Sequence, residues 1–348
     1  MANLKKKVFV GLSGGVDSAV SAALLKKGGF DVIGVFIKIW SPEFLECTWR
    51  EDRLDAMRAA VSLDIPFKEI DLSEEYKKRV ITEMVEEYKK GRTPNPDVLC
   101  NEYIKFGTFA SWSFENGADY IATGHYARRK NENGEPALFK GADPAKDQSY
   151  FLYRLNPSVL ARTFFPAGEF TKSEIRKTAR EFNLPNADRP DSQGLCFVGD
   201  VSIPEFLSRF ISLQKGILLD DHGAAIGEHD GAAFYTVGQR HGFRLAPHAE
   251  PGPYYVIALE SEKNIVRVSK ELRSTELRSA KITDLHWIRE QASEVDAVAR
   301  YHATPSKARI DADSVLFAEP IQLTPGQSLV FYRGEECLGG GVIHSVQK

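Results

Sequence analysis

Apolar residues in the first stretch of the chain change their spacing twice. Val8 to Val10 is a strand-like run. It breaks at Ser13-Gly14-Gly15-Val16-Asp17-Ser18, and apolar residues resume at helical spacing through Ala19, Val20, Ala22, Ala23, Leu24 and Leu25. The order predicts a strand, a glycine loop and a helix. Gly28-Gly29 supplies a stop, and Val32 to Ile39 reads as a second strand. Two strands joined by a right-handed helical crossover lie parallel, which places the loop at the carboxyl edge of the sheet, where α/β proteins bind ligands. Glu51 to Leu63 then carries Leu54, Met57, Ala60 and Val61 on one helical face, and Ile65 to Ile70 forms a short third strand. Ser73 to Lys90 is a longer helix that turns Tyr76, Val80, Met84, Val85 and Tyr88 inward. Tyr120 to Thr123 is the next strand, and Thr171-Lys172-Ser173-Glu174 is a capping box opening a helix through Phe182.

Beyond Cys196 the helical alternation ends. One short helix, Ile203 to Leu213, precedes strands at Tyr254 to Leu259 and Ile265 to Ser269. From about Ser274 the pattern is all-β: Ala297 to Tyr301, Lys307 to Ile310, Ser314 to Phe317, Ser328 to Tyr332 and Gly341 to Ser345. Short strands at such close intervals predict a small barrel. The expected architecture is α/β, with a parallel-sheet Rossmann-like nucleotide domain over 1–202, a small central domain over 203–273 and a C-terminal β-barrel over 274–348. A chain of 348 residues is long enough for two or three such cores.

Composition narrows the class. With 43% hydrophobic and 27% charged residues the chain has ordinary globular content. No apolar run is long enough to span a bilayer and no hydrophobic leader precedes the first strand, so a cytoplasmic enzyme without membrane contact is expected. Four cysteines, Cys47, Cys100, Cys196 and Cys337, form no C-x-x-C pair and no disulfide scaffold. A net charge of −3 is not a nucleic-acid footprint, so an RNA partner would require positive charge patterned on one face. Arg128, Arg129, Lys130, Lys140 and Lys146 form a loosely basic segment that either serves this purpose or is simply solvated.

The glycine loop is the strongest chemical signal. Adjacent glycines let the backbone approach an oxyanion, while Ser18 and the first helical N–H groups point at it. A Walker loop would end in lysine; this one ends Val16-Asp17-Ser18, which argues against kinase or GTPase chemistry. Gly91 to Asn101 (GRTPNPDVLCN) is an ordered proline loop ending at a helix cap, with Asn95 or Asp97 as the cap residue. Cys100 is expected in the first helical turn, where the dipole favours thiolate. His125 follows Gly124 at a strand end, a position shared by structural and functional histidines. Cys196, between leucine and phenylalanine, has the local character of a buried small residue.

Taken together, Gly11 to Ser18, Gly91 to Asn101, Thr123 to Tyr126, Lys146 to Leu152 (KDQSYFL), Asp191 to Phe197 (DSQGLCF), Phe234 to Gly242 and Pro325 to Gly341 resemble one family. It is that of the tRNA-specific 2-thiouridylases, of the N-type ATP pyrophosphatase or PP-loop superfamily, and the resemblance covers essentially the whole chain. It implies an adenine-nucleotide α-hydrolase-like domain, and a central domain and barrel that clamp tRNA. ATP, with Mg2+ screening the pyrophosphate, adenylates the 2-carbonyl oxygen of the wobble uridine, and a persulfide sulfur replaces that oxygen. A sulfur-donor or relay protein is the implied second partner. Matched position by position, Gly11, Leu12, Ser13, Gly14, Gly15, Val16, Asp17, Ser18, Ile37 and Gly124 correspond to the ATP site, with Asp17 also needed for chemistry. Cys196 corresponds to the persulfide carrier, Cys100 to its nucleophilic partner, and Asn95, Pro96 and Asp97 to contacts with the target base, Asp97 being catalytic as well. His125, Lys146, Asp147, Gln148, Arg300, Tyr301 and Gln327 correspond to tRNA contacts. No resident metal ligand set is implied.

The chain departs from the family pattern at Phe243 to Glu250, where a glycine-rich stretch is usual, and matches less closely around Arg300 to Ala303. Two other readings compete. An amide-forming adenylating synthetase would need no pair of thiols, and an RNA-binding relative without activity would be expected to lack Asp17, Cys100 or Cys196. All three are present.

Overall fold

The computed structural model describes residues 5–42, 44, 49–191, 201–212, 214–272 and 276–347. Its first sheet is fully parallel, in the order β3-β2-β1-β4-β7, formed by β1 (Lys7–Gly11), β2 (Asp31–Lys38), β3 (Phe67–Asp71), β4 (Tyr120–Ala122) and β7 (Thr163–Phe164). Val8, Phe9 and Val10 on β1 are completely buried, as a central strand covered on both faces requires. Helix α1 (Val16–Lys27) and helix α2 (Trp49–Ser62) pack together beside it. The buried stripe of α2 is not the expected one. Ala56, Ala59 and Ala60 face inward, while Leu54 and Val61 are exposed, because small side chains let α2 approach the sheet closely.

A helix over 73–89, α3, and one over 96–115, α4, each contain a π-helical segment, Lys77–Ile81 and Cys100–Thr108. Such widened turns often occur at functional positions. Helix α5 (Lys172–Glu181) starts with the predicted capping box, in which Thr171 and Glu174 satisfy each other's backbone N–H groups.

A second, mixed sheet, in the order β10-β9-β8-β12-β11, is formed by β8 (Gly216–Leu219), β9 (Ala225–His229), β10 (Arg244–Leu245), β11 (Tyr255–Glu260) and β12 (Ile265–Ser269). The predicted barrel is present. It comprises β13 (Glu276–Trp287), β14 (Glu294–Val298), β15 (Ser306–Asp311), β16 (Ser314–Gln322), β17 (Ser328–Arg333) and β18 (Glu336–Gln347). These six run antiparallel in the order β13-β16-β15-β14-β17-β18, and β18 closes on β13.

The sequence pattern gave no sign of how the units join. The basic segment is a hairpin, β5 (Ala127–Glu132) and β6 (Glu135–Lys140), and β6 pairs with β18 through Leu138 opposite Cys337 and Phe139 opposite Glu336. The nucleotide domain thus adds two strands to the barrel's sheet. Next to it, Ser149 exchanges a hydrogen bond with Tyr332 (3.1 Å) and the Tyr150 hydroxyl donates to the Ser328 carbonyl (2.8 Å). One continuous core runs from Phe9 through Cys100 and Phe206 to Val330 and Cys337.

The proline loop is gripped from two sides. Thr93 N–H donates to the Pro325 carbonyl (2.9 Å), Gln327 Nε2 donates to the Thr93 carbonyl (2.9 Å), and the Thr93 and Thr236 hydroxyls meet at 3.0 Å. Gly326 makes this contact possible: its φ is +91°, and a β-carbon there would lie 2.6 Å from Thr93 N. We expect Gly326→Ala to destabilise the fold by about 1–3 kcal/mol in urea denaturation, from backbone strain combined with the clash. A loss below a few tenths would mean the barrel docks on this loop by other contacts.

Candidate nucleotide and thiol site

Helix α1 begins without a side-chain cap. Its N-cap residue is Gly15, and no side chain accepts from the first N–H groups, which leaves them directed at the loop. The loop is closed by its own serines. Ser13 N–H donates to Ser18 Oγ (3.2 Å), Ser18 Oγ donates to the Gly15 carbonyl (3.1 Å), and the Ser13 and Ser18 hydroxyls meet at 3.3 Å. Gly14 has φ +83°, and a β-carbon on it would sit 2.5 Å from the Asp52 carbonyl oxygen. The Gly14 carbonyl accepts from Asn186 Nδ2 (2.8 Å) and from Arg189, which also binds Asp52 and Asp55. The loop conformation is therefore fixed from outside.

Two of the remaining predicted ATP positions pack against this loop. A β-carbon on Gly124 would lie 2.7 Å from Ser18 N, and Ile37 Cδ1 lies 3.7 Å from where a Gly11 β-carbon would be. The carboxylate of Asp17 accepts from the Tyr126 hydroxyl (2.7 Å) and from Lys172 Nζ (2.7 Å). Lys172 also reaches Asp191 (2.8 Å), which is held in turn by Lys146 (2.9 Å) and Arg176 (2.8 Å). Burial opposes these cations but does not outweigh them, and the Asp191 carboxyl is drawn down to about 2.

Sequence reasoning passed over Lys172, Tyr126, Asn186 and Arg189 as site residues. The capping box explained Thr171 and Glu174 but not the lysine between them. A cation in the first turn of a helix opposes the dipole, and that anomaly was the available signal.

On the thiol side Asn95 is the cap, its Oδ1 accepting from Val98 N–H (3.3 Å), and Pro96 is the first helical residue. Cys100 therefore lies in the second turn, buried to 3% exposure, and not in the first turn as expected. The dipole's influence fades beyond the first turn, so it gives no reason for a thiolate here. Burial raises the Asp97 carboxyl pKa, while Lys105 pulls the other way. Lys105 Nζ lies 3.4 Å from His125 Nε2, and His125 Nδ1 lies 2.8 Å from Thr123 Oγ1. An ammonium only donates, so Nε2 accepts and Nδ1 carries the proton toward Thr123. Burial, and then Lys105, push the His125 pKa well below its ordinary value, which keeps the ring neutral at pH 7. Gly124 thus touches the glycine loop and His125 touches the cysteine helix, one residue apart just beyond the end of β4.

The predicted tRNA positions are mostly engaged within the chain. Lys146 pairs with Asp191, and Asp147 accepts from Gly141 N–H and Ser149. Gln148 Oε1 accepts from Tyr126 N–H, and Arg300 donates to the Val237 carbonyl. Gln327 holds the proline loop. Tyr301 differs: its ring is 36% exposed and packs 4.5 Å from Phe151. Cys196 and Cys47 lie outside the described residues. Cys337 is buried in the barrel seam, and burial raises its thiol pKa far above the ordinary range, consistent with a packing role. Among the described residues no group of three or more His, Cys, Asp or Glu side chains could hold a metal.

Because Asp191 is depressed in the folded state, its contribution to stability is present above the unfolded carboxyl value near 3.8 and is lost as pH falls toward 2. We expect wild type to exceed Asp191→Asn by about 2 kcal/mol in urea denaturation at pH 6. This advantage should shrink as pH drops below about 4, and a difference that does not change down to pH 3 would contradict the charge network.

Family models match along nearly the whole chain: a tRNA methyl transferase HUP domain over residues 6–200, a tRNA methyl transferase PRC-barrel domain over 204–270 and an aminomethyltransferase beta-barrel domain over 277–343. The tRNA-specific 2-thiouridylase MnmA of Streptococcus thermophilus is 42% identical over 362 aligned positions, covering 99% of this chain and 97% of the relative. MnmA 1 of Geobacillus kaustophilus is 42% identical with the same coverage, and MnmA of Bacillus subtilis is 41% identical over 98% of this chain and 96% of its own. Identity at that level over the full length of both proteins leaves no room for a relationship confined to the shared nucleotide domain, and the chain belongs to the tRNA-specific 2-thiouridylase MnmA family.

Proposed function

We propose that the protein converts the wobble uridine of tRNA to 2-thiouridine, using ATP to activate the base and a persulfide as the sulfur source. The observation that carries this reading is the arrangement at the end of β4, where Gly124 closes an uncapped phosphate-binding helix and His125 meets the helix that bears Cys100. Adenylation and sulfur transfer need those two chemistries side by side.

In the first step the uridine 2-oxygen attacks the α-phosphorus of ATP, the bond to the bridging oxygen breaks, and pyrophosphate leaves. Backbone N–H groups of the loop and the α1 N-terminus stabilise the charge on the phosphates without reorganising. Asp17 is the one loop carboxylate that would hold Mg2+ beside the phosphates. One or two carboxylates commonly suffice for this ion, and when bound it would screen the phosphate charge. Asp97, a carboxyl whose protonated form is favoured by burial, is suited to hold or return a proton on the base.

In the second step the terminal sulfur of a Cys196 persulfide adds to C2, the C2–O bond breaks and AMP leaves. The Cys100 thiolate then attacks the Cys196 sulfur. The S–S bond to the base breaks, sulfur stays on C2, and a Cys100–Cys196 disulfide remains to be reduced by external thiol. A persulfide-carrying protein reloads Cys196. No described helix is long and apolar enough to cross a membrane, and a cytoplasmic location suits a tRNA substrate.

Reconstitution with ATP, a persulfide donor and unmodified tRNA, followed by nucleoside analysis, tests the reading. Asp17→Ala should cut tRNA-dependent pyrophosphate release at least roughly 100-fold. Unchanged release would remove Asp17 from the reaction. Cys196→Ser should fail to accept labelled sulfur, whereas Cys100→Ser should accept it and stall before 2-thiouridine forms. Cys337→Ser should remain active, since its thiol only fills the barrel seam. Thiolation by Cys196→Ser would refute the persulfide assignment.

A further inference from the structure

We propose that Lys172 is the phosphate-binding cation that the glycine loop itself lacks, delivered from the first turn of α5 to the β- and γ-phosphates of ATP and to the departing pyrophosphate. The proposal rests on the ATP reading above.

A loop ending Val-Asp-Ser has no positive side chain of its own, yet an ammonium reaches it. Lys172 Nζ lies 2.7 Å from the Asp17 carboxylate, and Asp17 is the second residue of α1. Of the three cations around Asp191, only Lys172 also touches a residue of the loop. Among the described residues, Lys146 and Arg176 pair with Asp191 and with no loop carboxylate. Its root is fixed twice, by the Thr171–Glu174 capping box and by its own N–H, which donates to Asp143 Oδ2 (3.0 Å). Its side chain is 14% exposed.

The partners are arranged so that this ammonium can leave them. Asp191 keeps Lys146 and Arg176 when Lys172 departs, and Asp17 keeps the Tyr126 hydroxyl (2.7 Å). Neither carboxylate is stranded. A lysine serving only as a tie between two carboxylates would need no such duplicates. Its place at the helix start, where a cation is disfavoured by the dipole, is also poor for a purely structural role. With a polyphosphate on the α1 N-terminus, the same ammonium stands between anion and helix and its electrostatic position becomes favourable.

The test compares ligands that differ in phosphate number. Isothermal titration of wild type, Lys172→Gln and Lys172→Arg with ATP, pyrophosphate and AMP measures the contribution to each. Lys172→Gln should weaken ATP and pyrophosphate by about 10- to 100-fold and AMP by no more than about 2-fold, and Lys172→Arg should recover most of the loss. Equal losses for ATP and AMP, or no loss for either, would overturn the proposal. If Lys172→Gln does not fold, 15N-labelled lysine side chains report in the wild type, with Lys172→Arg identifying the resonance. Pyrophosphate should shift the Lys172 ammonium signal and AMP should not; an unmoved signal overturns the assignment. These are equilibrium measurements without tRNA. A protein that binds in this pattern but makes no 2-thiouridine refutes the reaction and spares Lys172, while one that thiolates with unchanged phosphate selectivity in Lys172→Gln does the reverse.

Discussion

A helix that starts on glycine leaves its first N–H groups without partners, and most of the nucleotide domain follows from keeping them so. If Gly15 were serine or aspartate, its side chain would cap α1 and compete with any bound anion. The loop is instead stabilised from the side. Ser13 and Ser18 bond each other, and Asn186 and Arg189 hold the Gly14 carbonyl from a distant turn. Arg189 is anchored to Asp52 and Asp55 on α2, so the loop, α2 and the chain just before Asp191 form one unit. The parallel sheet beneath supplies rigidity and presents the loop at its carboxyl edge.

Four cations of the segment that reads as basic in sequence are engaged within the chain. Arg128 pairs with Glu335 of the barrel, Arg129 donates to the Ala161 carbonyl and stacks on Phe164, and Lys140 lies over the Tyr332 ring. Lys146 holds Asp191. These residues read in sequence as a basic run, yet in this structure Arg128 and Lys140 reach the barrel while Arg129 and Lys146 tie parts of the nucleotide domain together. Electrostatic attraction of RNA by a chain of net charge −3 must therefore draw on cations elsewhere or on rearrangement of these pairs.

What could be read from the sequence was local. The strand, loop and helix at the start, the capping box at Thr171 and the closely spaced strands of the barrel are each set by residues within a few positions of one another. The errors were of two physical kinds. Leu54 and Val61 point outward because α2 approaches its neighbours through alanines, so hydrophobicity alone chose the wrong face. Cys100 sits a turn deeper than expected because Pro96, fixed at a helical φ, starts the helix immediately after Asn95. Lys172, Arg189 and the β6–β18 pairing depend on contacts between residues far apart in the chain, and no local pattern encodes them.

Under the proposed reading two reactions share one base, and the segment after β4 is where their contacts meet. Gly124 and His125 are consecutive, so the residue that meets the glycine loop and the residue that meets the cysteine helix have Cα atoms about 3.8 Å apart. Both follow β4, which is paired in parallel to β1 and β7, so the sheet fixes where this pair of residues begins. The proline loop, which under the proposed reading meets the base, is held from the other side by Pro325 and Gln327 of the barrel and by Thr236 of the central sheet. A rearrangement of either unit would act on Asn95 and Asp97 through these bonds. Asn95, Pro96 and Asp97 are the cap and first turn of the helix that bears Cys100, so any shift of the loop would be passed directly to that cysteine.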